Sequence, residues 1–392
     1  MRRLRVGIYD HHWSTLGGGE MVDASLAEVL AREHDVTLIG PTPIDAGAIR
    51  ERLGPDVSGC RFLRAGTEAE VTALSATFDL FVNGAFLSKA VNRARVGYYY
   101  VMFPQARPTV TGRIASVAAR TALRAIGSRP RPAGRVNALR HRLARHVDDA
   151  RFAPTYHRFL SDSRFTARWV TRLWKVSSDV LYPPVRPLVA PRAKRPVIVS
   201  IGRFFDPSKG HSKKQREMVD AFARLVASGR ANGWELVLIG GCDAANRDYL
   251  LDLKRRAVGL PVRFAVNAPG RVVTDTLAEA AIYWHAGGYG EDAERHPERL
   301  EHFGIAVVEA CAAGAVPVVF GAAGPAEIVR DGQDGLHWRT LDALASETAA
   351  LIESPARRDT LAQSAIGRAR DFSADVFADN VRRILDADFG GR

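Results

Sequence analysis

The stretch EHFGIAVVEACAAGAVPVVF, from Glu301 to Phe320, places two carboxylates eight residues apart around a helix start. From Gly304 onward Ile305, Val308 and Ala312 recur with helical spacing, and the apolar run Val316 to Phe320 has the length and β-branched content of a buried parallel strand. Glu301 then falls just before the helix and Glu309 in its second turn. The backbone amides of His302, Phe303, Gly304 and Ile305 lie at the positive end of the helix dipole, where they are donors for a phosphate. Two acids beside a phosphate site would repel it unless they have partners of their own. Vicinal hydroxyls supply them, because a carboxylate accepts a hydrogen bond from each of two neighbouring O–H groups.

Outward from this stretch the chain reads as two α/β halves. In the first, strands are expected at Leu4–Tyr9, Asp35–Ile39, Phe78–Val82, Val96–Val101 and Arg158–Leu160, with helices at Glu20–Arg32 and Thr166–Trp174. Leu181 to Pro196, LYPPVRPLVAPRAKRP, holds five prolines and no apolar periodicity and is expected to be a linker. The pattern then restarts. Strands are expected at Val197–Ile201, Glu235–Ile239, Val262–Ala265, Ile282–His285 and Val316–Phe320, and helices at 213–228, 245–258, 274–280, 304–313 and 324–330. Three last helices are expected at 341–353, 355–370 and 374–387, with Ser354 and Ser373 as N-caps. The expected organisation is a first domain over 1–180 with an Arg-rich insert at 105–150, a linker at 181–196, a second domain over 197–370 and a C-terminal helix over 371–392. Two doubly wound domains of this kind bind ligands outside the carboxyl ends of their strands.

Composition narrows the function. With 392 residues and 46% apolar content the chain supplies two cores, and no apolar run approaches the roughly 20 residues that cross a bilayer. MRRLRVGIYD enters a strand directly, so a cytoplasmic location is expected. Cys60, Cys242 and Cys311 are isolated and suggest neither disulfides nor zinc. The net charge of +12 is concentrated: Arg107 to Arg151 holds eleven arginines against Asp148 and Asp149. Such a segment suits an anionic membrane surface or an anionic acceptor. It contains no Phe, Tyr or Trp to stack on bases, so nucleic acid is not expected as a partner.

EHFGIAVVEACAAG, followed by GPAEIVRDGQDGLHW, resembles the retaining nucleotide-sugar-dependent glycosyltransferases of family 4, in the branch that extends the dolichol-linked oligosaccharide with mannose. The resemblance implies a GT-B fold, two Rossmann-like domains facing a cleft, with the last helix crossing back to the first domain. It covers most of residues 1–20 and 155–340. It implies a nucleoside diphosphate sugar as co-substrate, no other cofactor, and a glycan, glycolipid or small-molecule acceptor. GDP-mannose leads among donors; a UDP-sugar with a soluble acceptor, or sugar-nucleotide binding without catalysis, is the alternative.

Residue by residue, the resemblance places Glu309 on the ribose, Glu301 on the hexose, and Arg203 with a lysine on the diphosphate. SIGRFFDPSKGHSKKQREMVDAF carries an insertion, so helix register counted back from Ala221 and Phe222 favours Lys213 for that lysine, with Lys209, reached by counting from Arg203, as the alternative. Backbone near Ala265 to Asn267 is expected at the base. HHWSTLGGGE resembles the family's Gly-rich loop, with Gly18 and Gly19 close to a diphosphate or acceptor. Ser161, Asp162 and Ser163 resemble an element at the cleft floor or cap the next helix. Met102 stands in YVMFP where relatives carry a His that touches the donor sugar. No metal is expected: Asp386 and Asp388 lie at a helix end, and His11, His12, His141 and His146 lack ligand spacing.

Overall fold

The computed structural model describes residues 2–104, 121, 150–186 and 190–390. The basic insert expected over 105–150 therefore lies outside the described residues, apart from Thr121 and Ala150. The chain divides into two units, Met1–Ser161 with Thr166–Asp179, and Asp162–Phe165 with Val180–Arg392.

In the first unit seven strands run in the order β3-β2-β1-β4-β5-β6-β7. They are β1 (Arg5–Tyr9), β2 (Asp35–Gly40), β3 (Arg61–Arg64), β4 (Leu80–Asn83), β5 (Val96–Val101), β6 (Arg158–Ser161) and β7 (Asp179–Val180). The pairings through β6 are parallel. Helices α1 (Gly18–Ala31), α2 (Ala46–Arg52) and α3 (Glu68–Ser75) connect the early strands. Every residue of β4 and β5 is buried, as expected of parallel strands covered on both faces. Strand β3, RFLR, was not foreseen. It is an edge strand with an arginine at each end and three exposed residues, so it carries none of the apolar run that marks a central strand. Helices α2 and α3 were also unforeseen; each is short and held by a local cap, Asp45 accepting from Ala48 N and Thr67 from Glu70 N.

The second unit repeats the plan with six strands in the order β10-β9-β8-β11-β12-β13. These are β8 (Arg195–Ile201), β9 (Glu235–Gly240), β10 (Val262–Val266), β11 (Ala280–His285), β12 (Val316–Phe320) and the unforeseen three-residue β13 (Leu336–Trp338). All pairings are parallel. Period-two alternation divides the strands between two core layers: Leu236, Leu238 and Val318 pack on one face, Val237, Ile239 and Val319 on the other. The strand order reverses between β8 and β11, and in open parallel sheets that switch point is where ligands bind.

Helix α4 (Arg164–Trp174) starts two residues earlier than expected. Its first two amides donate to Glu327, at 2.9 Å from Arg164 N and 2.6 Å from Phe165 N. Then come α5 (Gln215–Ala227), α6 (Arg247–Arg256), α7 (Gly270–Glu279), α8 (Ile305–Ala312), α9 (Pro325–Ile328), α10 (Leu341–Glu353), α11 (Pro355–Ala369) and α12 (Ala374–Phe389). Ser373 caps α12 as expected, accepting from Val376 N at 3.4 Å. The Ser354 side chain does not cap α11; the residue contributes its carbonyl to Arg358 N instead.

Candidate functional site

The carboxyl edge of the second sheet gathers residues from β8, β9, β11 and the start of α8. Gly240, ending β9, approaches the chain after β8 so closely that a Cβ on it would lie 2.0 Å from the Gly202 carbonyl oxygen. Gly202 in turn makes room for Lys213, whose Cγ would sit 2.4 Å from a Cβ at that position. Lys214 adopts a left-handed backbone, φ 58°, and α5 begins only at Gln215. The Gln215 side-chain amide donates to the carbonyls of Gly202 and Arg203 at 3.2 and 2.9 Å, fixing the turn. Lys213 is thus held outside the helix, directed at Glu301.

Glu301 is the hub of the site. Its Oε2 accepts from Lys213 Nζ and from His285 Nε2, the latter at 3.4 Å, with His211 Nε2 at 3.9 Å. Burial pushes the Glu301 carboxyl up, but Lys213 and the two imidazoles outweigh it and hold the group well below the usual range. His285 ends β11 and is buried; its carbonyl accepts from Trp338 Nε1 at 3.1 Å, and its Nδ1 has no partner among the described residues. A Cβ on Gly287 would press on both groups, at 3.0 Å from His285 Nε2 and 3.3 Å from Glu301 Oε2.

Gly304 caps α8 with φ 109°, a conformation that favours glycine. The GPAEI turn presses on the preceding backbone: a Cβ on Gly324 would meet the carbonyl oxygens of His302 and Phe303, each at 2.3 Å, and Gly324 N donates to Glu301 O at 3.0 Å. Phe303 is buried against Tyr182 and Phe372, and the His302 ring stacks on Phe165. Burial lowers the His302 pKa to about 4, so the ring is neutral near pH 7. Amides near Gly304 and Ile305 open the helix, and helix geometry leaves such first-turn donors without i−4 acceptors.

Two ionisable side chains at this edge, Arg203 and Glu309, have no ion pair among the described residues. Arg203 is exposed and forms no ion pair among the described residues, its guanidinium lying 5.9 Å from the centroid of Phe205. Glu309 has no side-chain hydrogen bond or ion pair among the described residues, and burial alone raises its pKa from 4.5 to about 7. Of the two lysines considered, Lys213 meets Glu301, whereas Lys209 Nζ donates to the Ala245 carbonyl at 2.5 Å. The Asn267 side chain is engaged with Cys242, accepting from its N at 2.9 Å and donating to its O at 3.1 Å, and its own backbone N–H donates to the Gly240 carbonyl at 2.9 Å, so it shapes the loop beside β10.

The insert after β11 is tied to the α5 start. Glu291 pairs with Lys214 at 2.6 Å and with Arg299 at 3.4 Å, and His211 Nδ1 meets the Arg299 carbonyl at 2.8 Å. His211 and His285 carry no periodic or motif signal in the sequence, and neither was assigned a role from it. The one sign was the position of His285, at the end of a buried strand and immediately before Ala-Gly-Gly.

In the first unit, Gly18 and Gly19 open α1. Gly17 N donates to Glu20 at 2.5 Å, and Met102 packs on Gly19, where a Cβ would lie 2.8 Å from its sulfur. Behind this turn Asp10, Glu20 and Asp23 are buried together. Burial first, then the neighbouring Asp10, pushes the Asp23 pKa well up. Gly84 accommodates that carboxyl, since a Cβ there would lie 1.9 Å from Asp23 Oδ1. Among the described residues no group of His, Cys, Asp and Glu side chains is arranged to hold a metal ion.

Two doubly wound units with this edge geometry define the GT-B class. Solved structures across nearly the whole chain share the fold: Anabaena Alr3699/HepE in complex with UDP, at TM-score 0.70, 16% identity and coverage of 98% of this chain and 100% of that one. Sucrose-phosphate synthase from Thermosynechococcus elongatus matches at TM-score 0.67 and 16% identity, with full coverage of both chains. Residues 186–368 match the family described as Glycosyl transferases group 1.

Among curated proteins the chain is similar to the GDP-Man:Man(3)GlcNAc(2)-PP-Dol alpha-1,2-mannosyltransferase of Xenopus laevis, 29% identical over 240 residues, 55% of this chain and 47% of that protein. The human protein of the same name is 30% identical over 182 residues, 42% of this chain and 34% of that one. The chain thus spans about half or less of the length of the curated relatives it matches.

The unpaired Glu309 has a stability signature. Its folded-state pKa lies above the unfolded value, so the native state binds the extra proton, and stability is lost as pH rises from about 4.5 to about 7. Glu309→Gln removes this loss. The variant is expected to melt above wild type at pH 8, by about 2–4 °C for each kcal/mol recovered, the gap closing towards pH 4.5. Thermal unfolding across pH checks this; identical curves for the two proteins would contradict the raised pKa of Glu309.

Proposed function

We propose that the protein transfers a hexose, with retention, from a nucleoside diphosphate sugar to an acceptor hydroxyl, without a metal ion. One observation carries this reading: Lys213 and Glu301 meet just before α8, while among the described residues neither the exposed Arg203 nor Glu309 forms an ion pair. Arg203, Lys213 and the α8 amides take the diphosphate, Glu309 the ribose and Glu301 the hexose hydroxyls. As the acceptor oxygen bonds to the anomeric carbon, the bond from that carbon to the β-phosphate oxygen breaks on the same face, and the acceptor proton passes to the departing phosphate. No protein nucleophile takes part, and cationic side chains stabilise the charge that develops on the leaving group.

GDP-mannose is the favoured donor because the curated relatives are named for GDP-Man. Their names also carry a dolichol-linked acceptor, which supports a lipid-linked acceptor here and a peripheral location at the inner face of a membrane. Among the described residues no helix is long and apolar enough to cross one.

A donor screen with GDP- and UDP-sugars tests the reaction. Turnover is expected with one donor class and is expected to survive EDTA, and Arg203→Ala and Glu309→Ala should each lower it roughly 10²- to 10⁴-fold, the scale of about 3–5 kcal/mol for lost charge-assisted transition-state contacts. Unchanged turnover in both variants, or a strict requirement for Mg²⁺ or Mn²⁺, contradicts the assignment.

The membrane arm has its own test. Each arginine of the 107–151 segment near an anionic surface contributes about 1 kcal/mol, screened over about 8 Å at physiological salt. The protein should sediment with anionic vesicles at low salt and be released at high salt. Joint substitution of Arg120, Arg124, Arg140 and Arg142 by Gln should abolish this and leave donor hydrolysis unchanged. Equal binding to neutral vesicles would favour a soluble acceptor.

A further inference from the structure

His211 has two ring nitrogens with unequal surroundings. Nδ1 lies 2.8 Å from the Arg299 carbonyl, which only accepts, so Nδ1 carries the proton. In the neutral ring Nε2 is then a bare lone pair, and it faces Glu301 Oε2, another acceptor, at 3.9 Å. Two acceptors face each other there, and Lys213 is the cation that makes the arrangement tolerable. His285 differs. Its Nε2 donates to Glu301 at 3.4 Å, and its Nδ1 is buried with no partner among the described residues, so a second proton on it would be an unsatisfied donor there.

With this edge as the donor site, a reading on which the role of His211 depends, Lys213 gains a competing partner in the diphosphate. When Lys213 turns to it, Glu301 keeps its charge and loses its cation. We infer that His211 is a positioning residue for Glu301, taking up one proton at Nε2 as the donor draws Lys213 away, and donating it as a hydrogen bond to the carboxylate. Both N–H groups of the charged ring then have acceptors, the Arg299 carbonyl and Glu301, and Glu301 stays directed at the hexose.

The charged and titratable groups around His211 agree with this assignment. Burial depresses the neutral ring's proton affinity most; Glu301 raises it, and Lys213 and His285 lower it, so removing Lys213 leaves the carboxylate as the dominant neighbour. His302 is neutral near pH 7, and Arg299 and Lys214 are both paired with Glu291.

Calorimetry of UDP-glucose and GDP-mannose binding tests it, because the diphosphate of a nucleotide sugar does not titrate near neutrality. Titrations at pH 7 in buffers of different ionisation enthalpy give the protons exchanged on binding. Comparing wild type with His211→Gln separates His211 from any proton Glu309 releases. Wild type is expected to take up more protons per donor bound than His211→Gln, whose amide still donates to the Arg299 carbonyl. The same excess over His211→Gln is expected to persist in His285→Gln.

Equal proton exchange in wild type and His211→Gln, with the donor bound by both, overturns the inference and leaves the donor site standing. Loss of the uptake in His285→Gln alone moves the proton to His285 and overturns it equally. Binding of neither nucleotide sugar to wild type overturns the donor-site reading, and this inference with it.

Discussion

The ion pair between Lys213 and Glu301 joins two segments that are 88 residues apart in sequence, and the carboxyl edge of the second sheet is arranged to permit it. Gly202 leaves space for the lysine stem, the left-handed Lys214 keeps Lys213 out of helix α5, and Gly287 lets the carboxylate sit against His285. The pair is not deeply dry, with side chains 29% and 16% exposed. An ion pair at such a boundary contributes little to stability, because desolvation offsets much of the Coulomb attraction. Its worth lies in what it preorganises: a carboxylate kept ionised and fixed in place, and an ammonium that a more strongly charged ligand can claim.

The insert from the end of β11 to Glu301 supports that arrangement from outside. Contacts that cross between it and the segment before α5 include His211 to the Arg299 carbonyl, Lys213 to Glu301, and Lys214 to Glu291. Lys214 and Glu291 are the most buried of these ion-paired side chains, at 8% and 14% exposure. A buried pair of this kind is costly to break by removing one partner, since the other is left as an uncompensated charge. The mixed-charge sequence EDAERHPERLEHFG is thus anchored at Glu291, Arg299 and Glu301.

Much of this was legible in the chain. The Glu301–Phe320 stretch gave helix, strand and both acids, because an amphipathic run followed by a β-branched apolar run has few readings. Register counted back from Ala221 and Phe222 favoured Lys213 over Lys209, and the structure brings Lys213 to Glu301. Edge strands such as RFLR and the three residues of β13 were not legible, since exposure removes the apolar signature and brevity removes the periodicity. His211 and His285 were not legible either. Their part depends on which ring nitrogen faces a carbonyl and which a carboxylate, and only the folded chain specifies that. The Asp10, Glu20 and Asp23 cluster was hidden for a similar reason, because Gly84, sixty-one residues beyond Asp23, supplies the space that lets the carboxyl be buried.

The most direct measurement is a crystal structure with an unhydrolysed nucleoside diphosphate sugar bound. The account predicts the diphosphate at the start of α8 against Arg203 and Lys213, Lys213 Nζ displaced from Glu301, the hexose hydroxyls on Glu301 and the ribose on Glu309. A donor bound elsewhere, or a diphosphate bound at this edge with the Lys213–Glu301 pair intact, would contradict it.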